Sequence, residues 1–355
     1  MVCLPARRRR RTLFVTLAGL AILAALSPAQ GRQDPQLRFQ AGIDLVSVSA
    51  TVTDAEGRFV RNLTRDEFTV YEDGAPQALT HFSSERVPVS LGLALDTSGS
   101  MTGEKIRAAQ TALRRFLVDL LGPDDEVFLY RFSDAPVLVA GWMSDRARLG
   151  RLLGQITPNG ETVLYDTIEA ALPLAQAGHH RKKALVIISD GNDTGSRTSA
   201  GDVRRLVLQS EVLVYAVGID SQGEQVSKRP GRARWPPGQL PVPGPRGRGI
   251  PGIPVPRIPV PQPPTGGGPA TWNSDERVNK SALRALTDDS GGRTEIVRSA
   301  RDLDPATAGI ADELSRQYFL AYASPAGKDG RWHDIRVEVR HRDCNVRARR
   351  GYVAF

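Results

Sequence analysis

Cysteine is almost missing from this 355-residue chain, which has two, Cys3 and Cys344. Cys3 falls in a leader-like first segment, so no second thiol remains for an intrachain disulfide even in an oxidising compartment. Cys344 then reads as a small buried hydrophobe, the other possibility being a thiol that pairs between chains. Histidine is scarce too. The five, His81, His179, His180, His333 and His341, offer one adjacent pair, and neighbours in sequence do not face the same way on a helix. A transition-metal centre therefore finds no support. No Gly-x-Ser-x-Gly elbow is present for a serine hydrolase, and no apolar run reaches the ~20 residues needed to span a bilayer.

The longest apolar run instead belongs to a secretory leader. Arg7 to Arg11 are cationic, Leu13 to Leu26 are apolar, and Ser27-Pro28-Ala29 is a small-residue exit. Residues 1–29 are accordingly read as a signal peptide cleaved after Ala29, which sends the chain to the periplasm, the cell envelope or the exterior. Membrane attachment would arise only if this segment stayed uncleaved as an anchor. The Arg10-Arg11 pair fits a loose twin-arginine pattern, as any five-arginine run does, so the export route stays open. Losing five arginines and no acid lowers the formal charge from +8 to +3. A nucleic-acid role thereby loses its electrostatic footing.

At this length and 40% hydrophobic content the chain can build one sizeable α/β core and a smaller module. Residues 30–87 read as an N-terminal β module, with Val46, Val48, Ala50 and Val52 alternating with polar neighbours and a hairpin-type turn at Tyr71-Glu72-Asp73-Gly74. Residues 88–318 alternate apolar strands (91–95, 127–132, 184–189 and 212–218) with amphipathic helices. The first helix has its apolar face at Ile106, Ala109, Leu113, Phe116, Leu117 and Leu120, and Gly122-Pro123 stops it.

Residues 221–272 interrupt this rhythm with a proline- and glycine-rich insert, expected to be extended and disordered because proline donates to neither helix nor ladder. Seven basic residues against one acid give the insert about +6 and leave the rest of the mature chain mildly acidic. It should emerge from the carboxyl end of a strand, either as a tolerated spacer or as a basic arm that recruits an acidic partner. Helices at 280–287 and 305–316 and a strand at 295–297 then resume the pattern. Residues 319–355 return to β alternation and are expected to pack with the N-terminal module. The fold class is α/β, a doubly wound and mostly parallel sheet flanked by helices, plus a small β module made from both flanks.

The chemistry concentrates where strands end. Asp96-Thr97-Ser98-Gly99-Ser100 follows the strand 91–95 and precedes a helix, so Asp96, Ser98 and Ser100 can turn three oxygens toward one point. Asp190 follows Ile187-Ile188-Ser189 at the same rim. Thr162, within Asn159-Gly160-Glu161-Thr162, supplies a hydroxyl from a loop before a helix. Each has a plainer use: Ser98 or Ser100 could cap the helix, and Asp190 before Gly191 could form a turn. Asp166 and Asp193 read as surface or turn residues able to support the ligands from behind. The resemblance of Leu95-Asp96-Thr97-Ser98-Gly99 to an aspartic-protease turn fails, because a helix follows and no second copy supplies the partner carboxylate.

Together and in this order, these loops resemble the von Willebrand factor type A domain with its metal-ion-dependent adhesion site. Asp96, Ser98 and Ser100 match that family's Asp-x-Ser-x-Ser, Thr162 its threonine loop, and Asp190 its third acidic loop. The flanks Asn62 to Phe68 and Arg349-Arg350-Gly351-Tyr352 are similar to the secreted type A domain proteins of acidobacteria-like bacteria. The resemblance implies a divalent ion, Mg2+ with Mn2+ or Ca2+ as alternatives. Ser98, Ser100 and Thr162 would bind it directly and Asp96 and Asp190 often through water. One position would stay open for a carboxylate of a protein or peptide partner. It implies a binding protein rather than an enzyme. The competing reading is an envelope scaffold whose metal only steadies the fold.

Overall fold

The computed structural model describes residues 45–190, 193–220, 280–341 and 343–354. The expected signal peptide and the proline-rich insert lie outside the described residues. The elements run β1 (Leu45–Thr53), β2 (Phe68–Glu72), β3 (Ala75–Gln77), β4 (Leu79–Ser83), β5 (Val89–Asp96), α1 (Glu104–Arg115), β6 (Glu126–Phe132), β7 (Pro136–Met143) and α2 (Arg146–Gly154). They continue with α3 (Leu164–Gln176), β8 (Lys182–Ser189), α4 (Ala200–Gln209), β9 (Leu213–Ile219), α5 (Lys280–Ser290), β10 (Thr294–Val297), α6 (Leu303–Arg316), β11 (Tyr318–Ala323), β12 (Trp332–Val339), β13 (Asn345–Arg347) and β14 (Gly351–Val353).

The large sheet has the order β10-β9-β8-β5-β6-β7. Its pairings are parallel except for β6 with β7, an antiparallel edge. This is the doubly wound, mostly parallel architecture expected from the alternation. All eight residues of central β5 are buried, as a strand covered on both faces requires. Its Leu91, Leu93 and Leu95 pack with Ile106, Ala109 and Leu113 of α1 and Ile310 of α6. On the other face, Ala94 packs with Ile168 and Ala171 of α3. Gly92 shares that face, where a Cβ would run into the Phe128 ring and Leu185. Helix α1 passes into a π-helical stretch, Phe116–Leu120, which keeps Phe116 and Leu117 buried.

The chain ends form two antiparallel four-stranded sheets, β13-β1-β11-β4 and β14-β12-β2-β3. Strand β1 pairs with β11, placing Val46 opposite Tyr322 and Val48 opposite Leu320. Strand β12 pairs with β2 on one side and β14 on the other. The β2–β3 hairpin turns at Asp73-Gly74, both with positive φ (49° and 81°), the arrangement that two-residue hairpins favour. Val46, Val48, Ala50 and Val52 form its core with Tyr318, Leu320, Tyr322, Ile335 and Tyr352. Cys344 is free and only half-buried, not buried as its composition-based reading had it, with Sγ 3.6 Å from His341 Nδ1.

A charged clasp closes the module's two turns. His333 Nδ1 lies 2.7 Å from Asp73 Oδ2 and its Nε2 3.1 Å from Asp329 Oδ1. The bonds to Asp73 and Asp329 raise the imidazole above its ordinary value. The stabilisation is therefore full below the unfolded pKa and is lost as pH rises through the higher folded one. We expect His333→Gln to lower the melting temperature at pH 6 and to leave it nearly unchanged at pH 9, as read by thermal melts across that range. An equal effect at both pH values would show that the clasp is not ionic.

A second contact ties the end of β9 to the start of α5. Asp220, just past β9, donates its N–H to Val297 O, 2.8 Å away, and its carboxylate meets Lys280 Nζ at 2.8 Å.

Candidate functional site

The first rim loop is shaped by its own side chains. Asp96, the last residue of β5, accepts the Ser98 N–H on Oδ1 at 2.8 Å. This turns the chain sharply before the 3-10 turn Gly99–Met101 and α1. Thr97 is buried and donates both its N–H and hydroxyl to Phe132 O, at 2.8 and 2.9 Å. The strand end is thereby tied to β6.

The serines then point at the third loop. Ser98 Oγ is 2.9 Å from Ser100 Oγ, and Ser100 Oγ donates to Asp190 Oδ1 at 2.7 Å. The Ser189 hydroxyl donates to Asp96 Oδ2. Asp96, Ser98, Ser189 and Asp190 are buried, and Ser100 is exposed, which leaves the cluster one open side.

The second loop is clipped to the first through backbone. Gly99 N–H donates to Gly160 O at 2.9 Å, and Asn159 N–H donates to Thr97 O at 2.7 Å. Gly160 has φ 76°, and a Cβ there would strike the Asp134 carboxylate, whose Oδ1 accepts the Glu161 N–H at 2.7 Å. Thr162 itself is buried, with its N–H on Thr194 Oγ1 at 3.1 Å and its carbonyl accepting from Thr194 and Gly195. Ser98, Ser100 and Asp190 thus form one hydrogen-bonded chain, with Asp96 behind it. Thr162 is held on the adjoining loop, and its hydroxyl has no bond to the other four. Asp193 and Asp166 brace the loops: Asp193 Oδ1 accepts the Tyr165 N–H at 3.1 Å, and Asp166 Oδ1 accepts from Arg197 and Thr198.

Burial drives the electrostatics. It pushes the Asp96 carboxyl up to about 6, with the charge of Asp190 adding to the rise and the bonds from Ser189 and Ser98 opposing it. Two buried carboxylates side by side call for positive charge, and part of it is supplied from the chain. Lys105 Nζ reaches Asp190 Oδ2 and donates to Ser100 O at 3.1 Å. Sequence reasoning missed Lys105 and Ser189. The former sits in the first turn of α1, where a lysine reads as solvated. The latter looked like the end of an apolar run.

The residues present fit a hard dication. All the donors are oxygens, two of them carboxylates, and a single ammonium does not neutralise the pair. Among the described residues no group of three or more His, Cys, Asp or Glu side chains is placed to hold a metal ion. None of the five histidines lies in the three rim loops. No helix among the described residues is long and apolar enough to cross a membrane.

A doubly wound sheet with an oxygen-lined rim at the carboxyl ends of its strands defines a class of α/β interaction module. The family model of the von Willebrand factor type A domain matches residues 91–192, from β5 past the third rim loop. Solved structures with a similar course include BatB from Bacteroides thetaiotaomicron, at 18% identity over 64% of this chain and 97% of that one, with a TM-score of 0.43. A von Willebrand factor type A protein from Catenulispora acidiphila matches at 12% identity over 89% and 75% of the two chains, with a TM-score of 0.45. Proximal thread matrix protein 1 of the mussel byssus, with a zinc-occupied adhesion motif, matches at 14% identity over 69% and 50%, TM-score 0.45. No curated protein matches the chain.

Proposed function

We propose that this chain is a secreted or periplasmic binding protein that captures an acidic partner through a divalent ion, Mg2+, at the rim of its type A domain. The observation that carries the reading is the hydrogen-bonded line Ser98–Ser100–Asp190 with Asp96 buried behind it. Ser98, Ser100 and Thr162 would hold the ion through hydroxyls, and Asp96 and Asp190 would supply its counter-charge. Bound there, the ion offers an electrophilic position to an incoming carboxylate, because two formal negative charges and neutral hydroxyls leave a dication unsated. The chain's own residues orient and dehydrate that position. No bond is broken, and the module is not an enzyme.

A pull-down from the native envelope in Mg2+, in EDTA, and with Asp96→Ala tests this. Capture that vanishes in EDTA and in the variant, with melting of the parent chain little changed, supports adhesion. Metal loss that mainly lowers the melting temperature and leaves capture intact assigns the ion to a scaffold.

Lys105 tunes the same site. Its ammonium occupies one oxygen of Asp190, so a dication that engages this carboxylate competes with it. Lys105→Met should tighten Mg2+ binding about fivefold, since a partly exposed ion pair is worth about 1 kcal/mol. Calorimetric titration with Mg2+ reads this directly, and weaker binding in the variant would give Lys105 a supporting role instead.

A further inference from the structure

The Arg349-Arg350-Gly351-Tyr352 run lies far from the metal rim in sequence and is not used by it. It borders a groove of about 440 Å3 lined by Asp288 at the end of α5, Ile335, Arg336 and Val337 of β12, and residues 346–350. The groove opens because two consecutive strands part company. Strand β13 pairs with β1, whereas β14 pairs with β12 through residues 332–334, and Ile335 N–H to Arg350 O at 2.8 Å is the crotch of the fork.

Four arginines, Arg336, Arg347, Arg349 and Arg350, and one acid, Asp288, line this space. Their ion-pair partners, Glu338, Glu313, Glu211 and Asp289, do not line it. Arg349 is the telling member. Its side chain is 7% exposed and meets a single acid, Glu211, at 3.4 Å. Its Nε and Nη1 are buried with no hydrogen-bond partner among the described residues. At the mouth, Arg336 lies over the Tyr71 ring (4.3 Å to its centroid) and donates to Glu338 through Nη1, which leaves its other in-plane donors for a ligand. Ile335, Val337, Val346 and Ala348 give the remaining lining an apolar character.

We propose that this fork is a second ligand site, which takes a small organic anion, a carboxylate or a phosphate monoester with an apolar body. The oxyanion would meet the arginines, which suit planar or tetrahedral oxyanions, and the body would rest on the aliphatic residues. The volume lies within the usual range for small-molecule sites. The site is independent of the metal rim and would stand if the adhesive reading failed.

The test is thermal melting and calorimetry of the full chain in metal-depleted buffer, with glutarate, phenyl phosphate or inorganic phosphate as probe and sodium chloride matched for ionic strength. A saturable rise in melting temperature beyond the chloride control, at least tenfold weaker in affinity for Arg336→Gln/Arg350→Gln, supports the site. Phenyl phosphate binding more tightly than inorganic phosphate would favour an ester, and glutarate alone a carboxylate. Arg336→Gln by itself, at a side chain 60% exposed, serves if the double variant folds poorly. No saturable response to any probe, or variants that respond as the parent chain does, overturns the proposal.

Discussion

Asp96→Asn should melt above the parent chain in EDTA and below it in saturating Mg2+, a reversal that a merely structural aspartate would not produce. In the metal-free protein, burial lifts the Asp96 carboxyl from 3.8 to about 6. A raised carboxyl contributes its stability below the unfolded pKa and loses it as pH climbs through the folded one, so near pH 7 the ionised form costs about 3 kcal/mol. Asparagine keeps the acceptor for Ser98 and the shape without the charge. The Ser189 hydroxyl needs only to rotate from donating to accepting. Metal changes the sign. At a thousandfold excess over its dissociation constant an ion bound only by the folded state adds about 4.1 kcal/mol, more than the charge costs and roughly 8–16 °C for a unit of this size. The variant should forfeit most of that gain. Melts at pH 7 and pH 4, each with and without Mg2+, provide the four measurements. Curves that keep one order in both conditions would remove the dication from this rim.

Glu313→Ala should cost about 3–5 kcal/mol, which is expected when a buried charge partner is deleted. Glu313 lies on α6 with its side chain 1% exposed. Its Oε1 accepts from Thr51 Oγ1 at 3.1 Å, from Tyr215 OH at 3.0 Å, and from Arg347. Its Oε2 stands 2.9 Å from Arg293 Nε, close enough to pair but off the line of a hydrogen bond. Gln317 completes the ring by donating to both Thr51 and Tyr215 at 3.0 Å. Truncation would strand two guanidinium groups and two hydroxyls at the seam between β1, β9, α6 and β13. Urea denaturation is the measurement. A separate early transition for the flanking strands would show that the seam holds the module to the type A domain, and a loss below about 1 kcal/mol would show that the network is redundant.

The parts of the fold that could be read from sequence are those where one physical effect dominates. Strands β5, β8 and β9 are continuous apolar runs because both their faces are covered, and α1 repeats its apolar residues at helical spacing along one buried face. The pairing of the chain ends was legible in the alternation of Val46 to Val52 and of Ile335 to Val339. Strand β7 was not. It is an edge whose pairing with β6 shifts register near Leu129, and its Val137 and Leu138 face solvent, so neither alternation nor a buried run marks it. At the rim, Asp96 and Asp190 stood out because each directly follows a buried strand. Lys105 and Glu313 did not, since a charged residue on an amphipathic helix gives no hint in sequence of whether it is solvated or paired. The arginine fork was equally hidden, because it depends on β13 and β14 joining different sheets.

The Asp220–Lys280 contact bears on how the gene can vary. These two residues, one just past β9 and one at the start of α5, grip one another and bracket residues 221–279, so a sequence of any length spliced between them joins the same two fixed points. Sequence between them could be lengthened, recoded or trimmed without asking β9 or α5 to move, which makes this a position where insertions should cost the fold least.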